Sequence, residues 1–162
     1  MVKQIVRDVF FLSRKSEPAT RADLQVAVDL MDTLKANRER CVGMAANMRG
    51  QRAKRPCLHG HLATAAALSA EHEVIGVNKC IIIVNMGLTD VVMFNSKILK
   101  QSGPYETEEG CLSLDGVRKT TRYQNIEVEY FDMRWKKQKM KLSGWTAQIA
   151  QHEIDHLSGR VI

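Results

Sequence analysis

The segment WTAQIAQHEIDHLSG, residues 145–159, sets His152 and His156 four positions apart with Glu153 directly after the first of them. On a helix, positions i and i+4 share a face, so both imidazoles can reach one cation while the carboxylate stands beside it as an acid/base. A site of this kind normally takes a third protein ligand. In this sequence His156 is followed only by Leu157, Ser158, Gly159, Arg160, Val161 and Ile162, none of them a usual metal ligand. Any third side-chain ligand must come from upstream, so the fold has to bring a distant segment against this helix.

The upstream residue with the most suitable surroundings is Cys111, in EEGCLSLDG at 108–116. Its thiolate would complete a Cys-His-His set with a fourth position open to water, the form that a hydrolytic centre needs. The competing reading is that Cys111 is simply a small buried residue, a common fate of free cysteine. A zinc endopeptidase whose third ligand follows the second histidine at a distance is disfavoured, because the sequence offers no such residue.

Upstream, Thr20 precedes RADLQVAVDLMDTLKANRE, where Leu24, Ala27, Val28, Met31 and Leu34 recur at helical spacing and Thr20 with Asp23 forms a capping box. This predicts a long N-terminal amphipathic helix. CVGMAANM at 41–48 is a small-residue stretch in which Gly43, Ala45 and Ala46 permit close backbone approach. KCIIIVN and DVVMFNSKIL read as strands about a turn at Gly87, and IEVEYFDMRWKKQKMKL as two more. Strands in the middle with helices at both ends, without regular βαβ alternation, predict an α+β fold. The expected architecture is a mixed or antiparallel sheet packed around the C-terminal metal-binding helix.

With 162 residues, 44% of them hydrophobic, the chain suits a single domain over 1–162 with a real core. The net charge of +6 admits an anionic partner, yet the basic residues are scattered along the sequence and a solvated mixed-charge surface is the plainer reading. Cys41, Cys57, Cys80 and Cys111 lack the close pairing of a zinc ribbon or a secreted scaffold, and read as reduced thiols. The N-terminal MVKQIVRDVFFLSRKSEP lacks a signal-peptide core, and no apolar run is long enough to span a membrane. A cytoplasmic protein without membrane contact is expected.

Residues 49–74 break the pattern, with a basic start (Arg49, Arg52, Lys54, Arg55) and an Ala-rich end. Cys57, His59, His61 and His72 match no common zinc module, so a surface excursion is preferred to a second metal site.

Taken together, CVGMAANM at 41–48, EGCLS at 109–113 and HEIDH at 152–156 resemble the three ordered motifs of the peptide deformylase family, Gly-x-Gly-x-Ala-Ala-x-Gln, Glu-Gly-Cys-x-Ser and His-Glu-x-x-His. The second and third matches are complete, and the likeness covers nearly the whole chain outside 49–74. The resemblance implies hydrolysis of the formyl group from the N-terminal formylmethionine of newly made bacterial or organellar polypeptides, releasing formate. It implies one divalent metal, iron(II) in the cell, with zinc, nickel or cobalt able to occupy the site. Cys111, His152 and His156 would be its ligands and Glu153 would handle the proton. The backbone N–H of Leu112 would stabilise the oxyanion, and Gly43, Met44, Glu109 and Gly110 would meet an extended peptide. Formylmethionyl nascent peptides are the implied partners, with the ribosome as a further one, and no specific DNA binding is expected.

Two departures bear on activity. Cys41 stands where the first motif has a glycine, and Met48 where it has its final Gln; a thioether donates no hydrogen bond. The side chain of Asn47, the neighbouring amide, should point the other way in an extended segment. Joining Met48 to Ile75 would restore an uninterrupted family-like sequence, so residues 49–74 are read as an insertion with edges uncertain by about two residues. The competing function is a catalytically silent deformylase-like protein that binds peptide N-termini or the ribosome.

Overall fold

The structure, a computed structural model, describes residues 1–39, 41–48, 50–52, 74–111 and 113–161, with the backbone alone for 50–52 and 74–76. Its elements are α1 (Val9–Leu12), α2 (Leu24–Ala36), β1 (Gly43–Ala45), β2 (Gly50–Arg52), β3 (Val74–Gly76), β4 (Ile81–Asn85), β5 (Asp90–Gly110), β6 (Val117–Phe131), β7 (Lys137–Ser143) and α3 (Gly144–Leu157). Strands β1, β4, β5, β6 and β7 form an antiparallel sheet in that order, and β2 pairs with β3 apart from it. The α+β fold follows expectation. No described helix is long and apolar enough to cross a membrane.

The helix expected from Thr20 onward is shorter than the periodicity suggested. The backbone N and Oγ1 of Thr20 both donate to the Asp23 carboxylate, at 2.7 and 3.0 Å, closing a 3-10 turn over Arg21–Asp23 before α2 begins. At the other end Asn37 leaves helical geometry (φ −117°) and its Nδ2 donates to the Thr33 carbonyl at 2.7 Å, which satisfies one of the terminal acceptors. The chain therefore has a 13-residue α2 rather than a long N-terminal helix.

Helices α2 and α3 both pack against β4, whose residues Ile81 to Val84 are fully buried. That explains why IIIV reads as a continuous apolar run rather than an alternating one. Beyond it, β5 and β6 form a long hairpin whose register shifts between Phe94 and Lys97 and again between Ile98 and Lys100, with Asn95 at φ 52°. Such bulges bend a strand. The buried 92–94 part of β5 lies in the core, while its remainder runs on to Gly110 and leaves Cys111 next to α3. Nothing in KQSGPYETEE, residues 100–109, signals a strand; pairing with β6 overrides its polar, Pro- and Gly-containing composition.

In the β2–β3 ladder Gly50 lies opposite Gly76 and Arg52 opposite Val74, so the two borders of the unusual segment run side by side. Residues 53–73, including Cys57, His59, His61 and His72, lie outside the described residues.

Candidate metal centre

Helix α3 presents Ala147, Ile149, Ala150, Glu153, His156 and Leu157 as buried positions, a stripe at helical spacing that faces the sheet and β1. His156 is fully buried at its centre, and His152 lies one turn before it. Their Nε2 atoms are 3.0 Å apart, with the rings nearly perpendicular, and Sγ of Cys111 lies 3.3 Å from Nε2 of His156. Ligand atoms of Cys111, His152 and His156 all fall within 4.8 Å of one another. The distant segment demanded by the sequence is thus the end of the β5 arm.

The donor set fits a cation. Nδ1 of His152 lies 2.8 Å from Oε2 of Glu109, so a proton there leaves Nε2 as a lone pair directed at the cluster. Burial, followed by the neighbouring His152, pushes His156 down to about 3, keeping it neutral and able to ligate. Burial also opposes charge on His152, yet hydrogen bonds to Cys111 and Glu109, with Glu153 nearby, raise it to about 10. The pocket thus favours positive charge at that spot, the charge a metal ion would supply.

Glu109 is itself anchored. Against the cost of burial, Arg122 and His152 pull its carboxyl down to about 2. Nε and Nη2 of Arg122 donate to the two Glu109 oxygens at 2.8 and 2.6 Å, and Nη1 donates to Asp155 on α3 at 2.5 Å. This bidentate clamp ties β5, β6 and α3 together around His152. Sequence reasoning missed Arg122 and Asp155. The signal was available in β6, where Arg122 shares the alternating inward face with Thr120, Ile126 and Val128 and is 2% exposed, so it needed a carboxylate partner.

A cavity of about 180 Å³ opens beside the cluster, and Cys111, His152 and Glu153 line it together with Gly43, Met48 and Gly110. Glu153 is 3% exposed; burial raises its carboxyl to about 7, and its Oε2 has no partner among the described residues. A Cβ on Gly43 would stand 2.8 Å from Oε1 of Glu153 and 2.6 Å from Ile149, so only glycine lets β1 approach α3 this closely. Among the described residues β1 is an edge strand, paired only with β4.

Of the other residues singled out, Glu109 also borders the cavity. Met44 turns into the core, fully buried, and takes no part in the cavity wall. Leu112 lies outside the described residues. Met48 is 1% exposed and presents a thioether where the family motif has an amide. Asn47 does not replace that amide, because its Nδ2 donates to the backbone oxygen of His156 at 2.9 Å. Cys41 also lines the cavity; its thiol donates to the Gly43 carbonyl at 2.7 Å, and burial with Glu153 nearby lifts it to about 12. Trp145, in the first turn of α3, is 62% exposed at the rim of the cavity.

Comparison with known proteins agrees with this arrangement. The family model for polypeptide deformylase matches residues 3–162. A peptide deformylase of Clostridium beijerinckii is 47% identical over 162 residues, spanning all of both chains. Peptide deformylase 3 of Shewanella oneidensis is 36% identical over 91 residues, or 54% of this chain and 56% of that protein. Among solved structures, a peptide deformylase from Legionella pneumophila superposes with a TM-score of 0.76 at 25% identity, covering 99% of this chain and 83% of that one. A class I type b peptide deformylase from Acinetobacter baumannii gives 0.74 at 25% identity, covering 98% and 96%. With the three motifs gathered at one cavity and a family match across the chain, this protein belongs to the polypeptide deformylase family.

Proposed function

We propose that this chain is a metal-dependent hydrolase that removes the N-formyl group from the N-terminal formylmethionine of newly made polypeptides, releasing formate. The observation that carries this reading is the convergence of Cys111, His152 and His156 beside Glu153 on a cavity bordered by an edge strand. Cys111, His152 and His156 would hold one divalent cation, iron(II) in the cell, and the same mixed sulfur and nitrogen set suits zinc, nickel or cobalt. When bound, such a cation supplies Lewis-acid polarisation of the formyl carbonyl and of water.

The remaining chemistry belongs to the chain. Glu153 takes a proton from the attacking water and returns one to the departing amine, so that water and the formamide become formate and a free N-terminus. Its burial, with one oxygen unpartnered among the described residues, favours this exchange near neutral pH. Arg122 and Glu109 hold the His152 ring in one tautomer. The free edge of β1 at Gly43 and Met44, opposite Glu109 and Gly110, pairs with the extended substrate backbone. By the family resemblance, the backbone N–H of Leu112 would serve the developing oxyanion. Met48 contributes no donor there, which lowers the rate without abolishing it.

In the same reading the chain is one domain over 1–162, working in the bacterial cytoplasm, with 49–74 as a surface insertion. The β2–β3 ladder supports this, since the segment leaves and returns at one place. The test is formate release from a formyl-Met tripeptide by anaerobically prepared, iron-loaded protein, with Glu153→Ala as control. Turnover that the substitution removes is expected. Absence of turnover at stoichiometric metal would overturn the reading in favour of a silent peptide-binding protein.

A further inference from the structure

The fold brings Lys97 and Lys100 beside the basic run RWKKQKMK at 134–141. In the β5–β6–β7 part of the sheet, Ile126, Val128 and Leu142 point inward and are buried, so their strand neighbours point outward. Cross-strand register then builds rows on the outer face: Lys97 with Glu129 and Lys139, and Lys100 with Glu127 and Lys141. Lys137 continues the β7 column, and all five lysines are exposed. Glu129 is shared between Lys137 at 3.0 Å and Lys139 at 4.0 Å. Glu127 stands between two lysines in register, so the carboxylates are outnumbered throughout.

The β6–β7 turn extends the same field. Its acid, Asp132, is occupied by backbone N–H groups of Arg134 and Lys136 at 2.9 Å each and by Nε2 of Gln138 at 2.8 Å, leaving the Arg134 and Lys136 side chains exposed at the tip. At this end of the face Phe131 and Trp135 stack with ring centroids 5.4 Å apart at 18°, and Trp135 also packs on the buried Phe94, so the partly buried pair closes the end of the lysine field. Alternate residues of a strand repeat about every 7 Å, so Lys137, Lys139 and Lys141 form a straight column of cations beside an aromatic pair. A row of cations at this spacing can track the phosphates of a nucleic-acid backbone.

We propose that the outer face of β5, β6 and β7 is a docking surface for RNA, held through its phosphates. Charge complementarity carries the assignment, and the choice of RNA rests on the proposed function, whose substrates emerge from an RNA-bearing machine. The cavity and α3 lie against the opposite face of the sheet, so RNA on the outer face leaves the site open to a peptide. Neither face residues nor turn residues belong to the catalytic machinery.

The experiment is fluorescence anisotropy of a labelled 20-nucleotide single-stranded RNA against metal-loaded protein, titrated between 50 and 200 mM KCl. The test variant carries Lys97→Gln, Lys100→Gln, Lys139→Gln and Lys141→Gln; a charge-matched control carries Arg7→Gln, Lys15→Gln, Arg21→Gln and Lys35→Gln. Expected are salt-dependent binding by the native chain, a loss of at least about 10-fold in the test variant, and a log-log salt slope shallower by about 0.7 for each lysine that meets a phosphate. The control should bind nearly as the native chain does, and both variants should release formate at the native rate. The proposal is overturned if the native chain shows no salt-dependent binding, if the two variants weaken equally, or if polyglutamate displaces the RNA at equal charge concentration, which would indicate an acidic protein. RNA binding without formate release would leave this surface standing while the deformylase reading fell.

Discussion

Gly43→Ala tests the contact through which β1 positions the proton-transfer residue. The added methyl would lie 2.6 Å from Cγ2 of Ile149, 2.8 Å from Oε1 of Glu153 and 3.1 Å from its Cγ. Carbon atoms normally rest about 3.5–4.0 Å apart, so the overlap with Ile149 is about 1 Å. Ile149 is β-branched and 5% exposed, and its χ1 has little freedom on a helix. Relief must come from a shift of β1 away from α3, a strained Ile149, or a displaced Glu153 carboxylate. Overpacking of this kind costs about 1–3 kcal/mol of stability. A reacting group misplaced by about 1 Å loses on the order of 10² in rate. Metal content should not change, because the nearest neighbours of the methyl are Ile149 and Glu153 rather than Cys111, His152 or His156. Gly110→Ala is the natural comparison for stability: its nearest neighbours, Gly116 O at 3.6 Å and Val117 at 3.8 Å, are ordinary contacts. Urea unfolding of both variants, metal analysis and formate release would be measured in parallel. Native stability and native turnover in Gly43→Ala would refute the idea that the β1–α3 approach fixes Glu153.

Three further perturbations have defined signs. Arg122→Met strands the buried Glu109, while the half-buried Asp155 keeps Arg160, and should cost about 3–5 kcal/mol, with weakened metal retention; a loss below 1 kcal/mol in denaturant would show that the clamp is incidental. Because the Glu109 carboxyl is lowered from 4.5 to about 2 in the fold, its stabilising contribution is complete above the unfolded value and disappears as pH falls through the folded one, so the substitution should move acid unfolding to higher pH, read by circular dichroism. Met48→Gln offers an amide to the cavity and should raise kcat, by up to the order of 10²–10³, while lowering the unfolding midpoint because a polar group enters a 1% exposed position; an unchanged kcat would mean that the oxyanion is already served. Cys41, pushed up from 9.0 to about 12, should have a thiolate fraction about 10³-fold below that of an unperturbed thiol, so iodoacetamide at pH 8 should leave it unmodified in the folded protein, with mass-spectrometric labelling at the rate of a free thiol contradicting this.

Much of the site was legible in the sequence because its chemistry is local. His152, Glu153 and His156 owe their common direction to one turn of helix, and the five residues HEIDH suffice to specify it. EGCLS was equally readable, whereas Asn47 turns from the cavity for a reason that the sequence reading did not have: Ala46–Met48 is a 3-10 turn rather than extended, and the amide is held by the His156 carbonyl. The strands at IIIVN and DVVMF follow from apolar runs that leave the chain few other options. Local pattern overstated α2, since it cannot weigh a 3-10 turn against a further helical turn when one capping box suits both.

What only tertiary structure decided depends on pairing between distant segments. The polar 100–109 stretch becomes strand because β6 supplies its hydrogen-bond partners, and that arm is what carries Glu109 and Cys111 to α3. Arg122 is a surface residue by composition and a buried clamp by register. Lys97 and Lys100 are distant in sequence from the basic run at 134–141 yet join its rows, because an antiparallel ladder sets residues side by side regardless of their separation along the chain. Sequence alone fixed which atoms could bind a cation and move a proton; it could not fix which long-range contacts would hold them together, since that choice is made by burial and hydrogen bonding summed over the whole sheet.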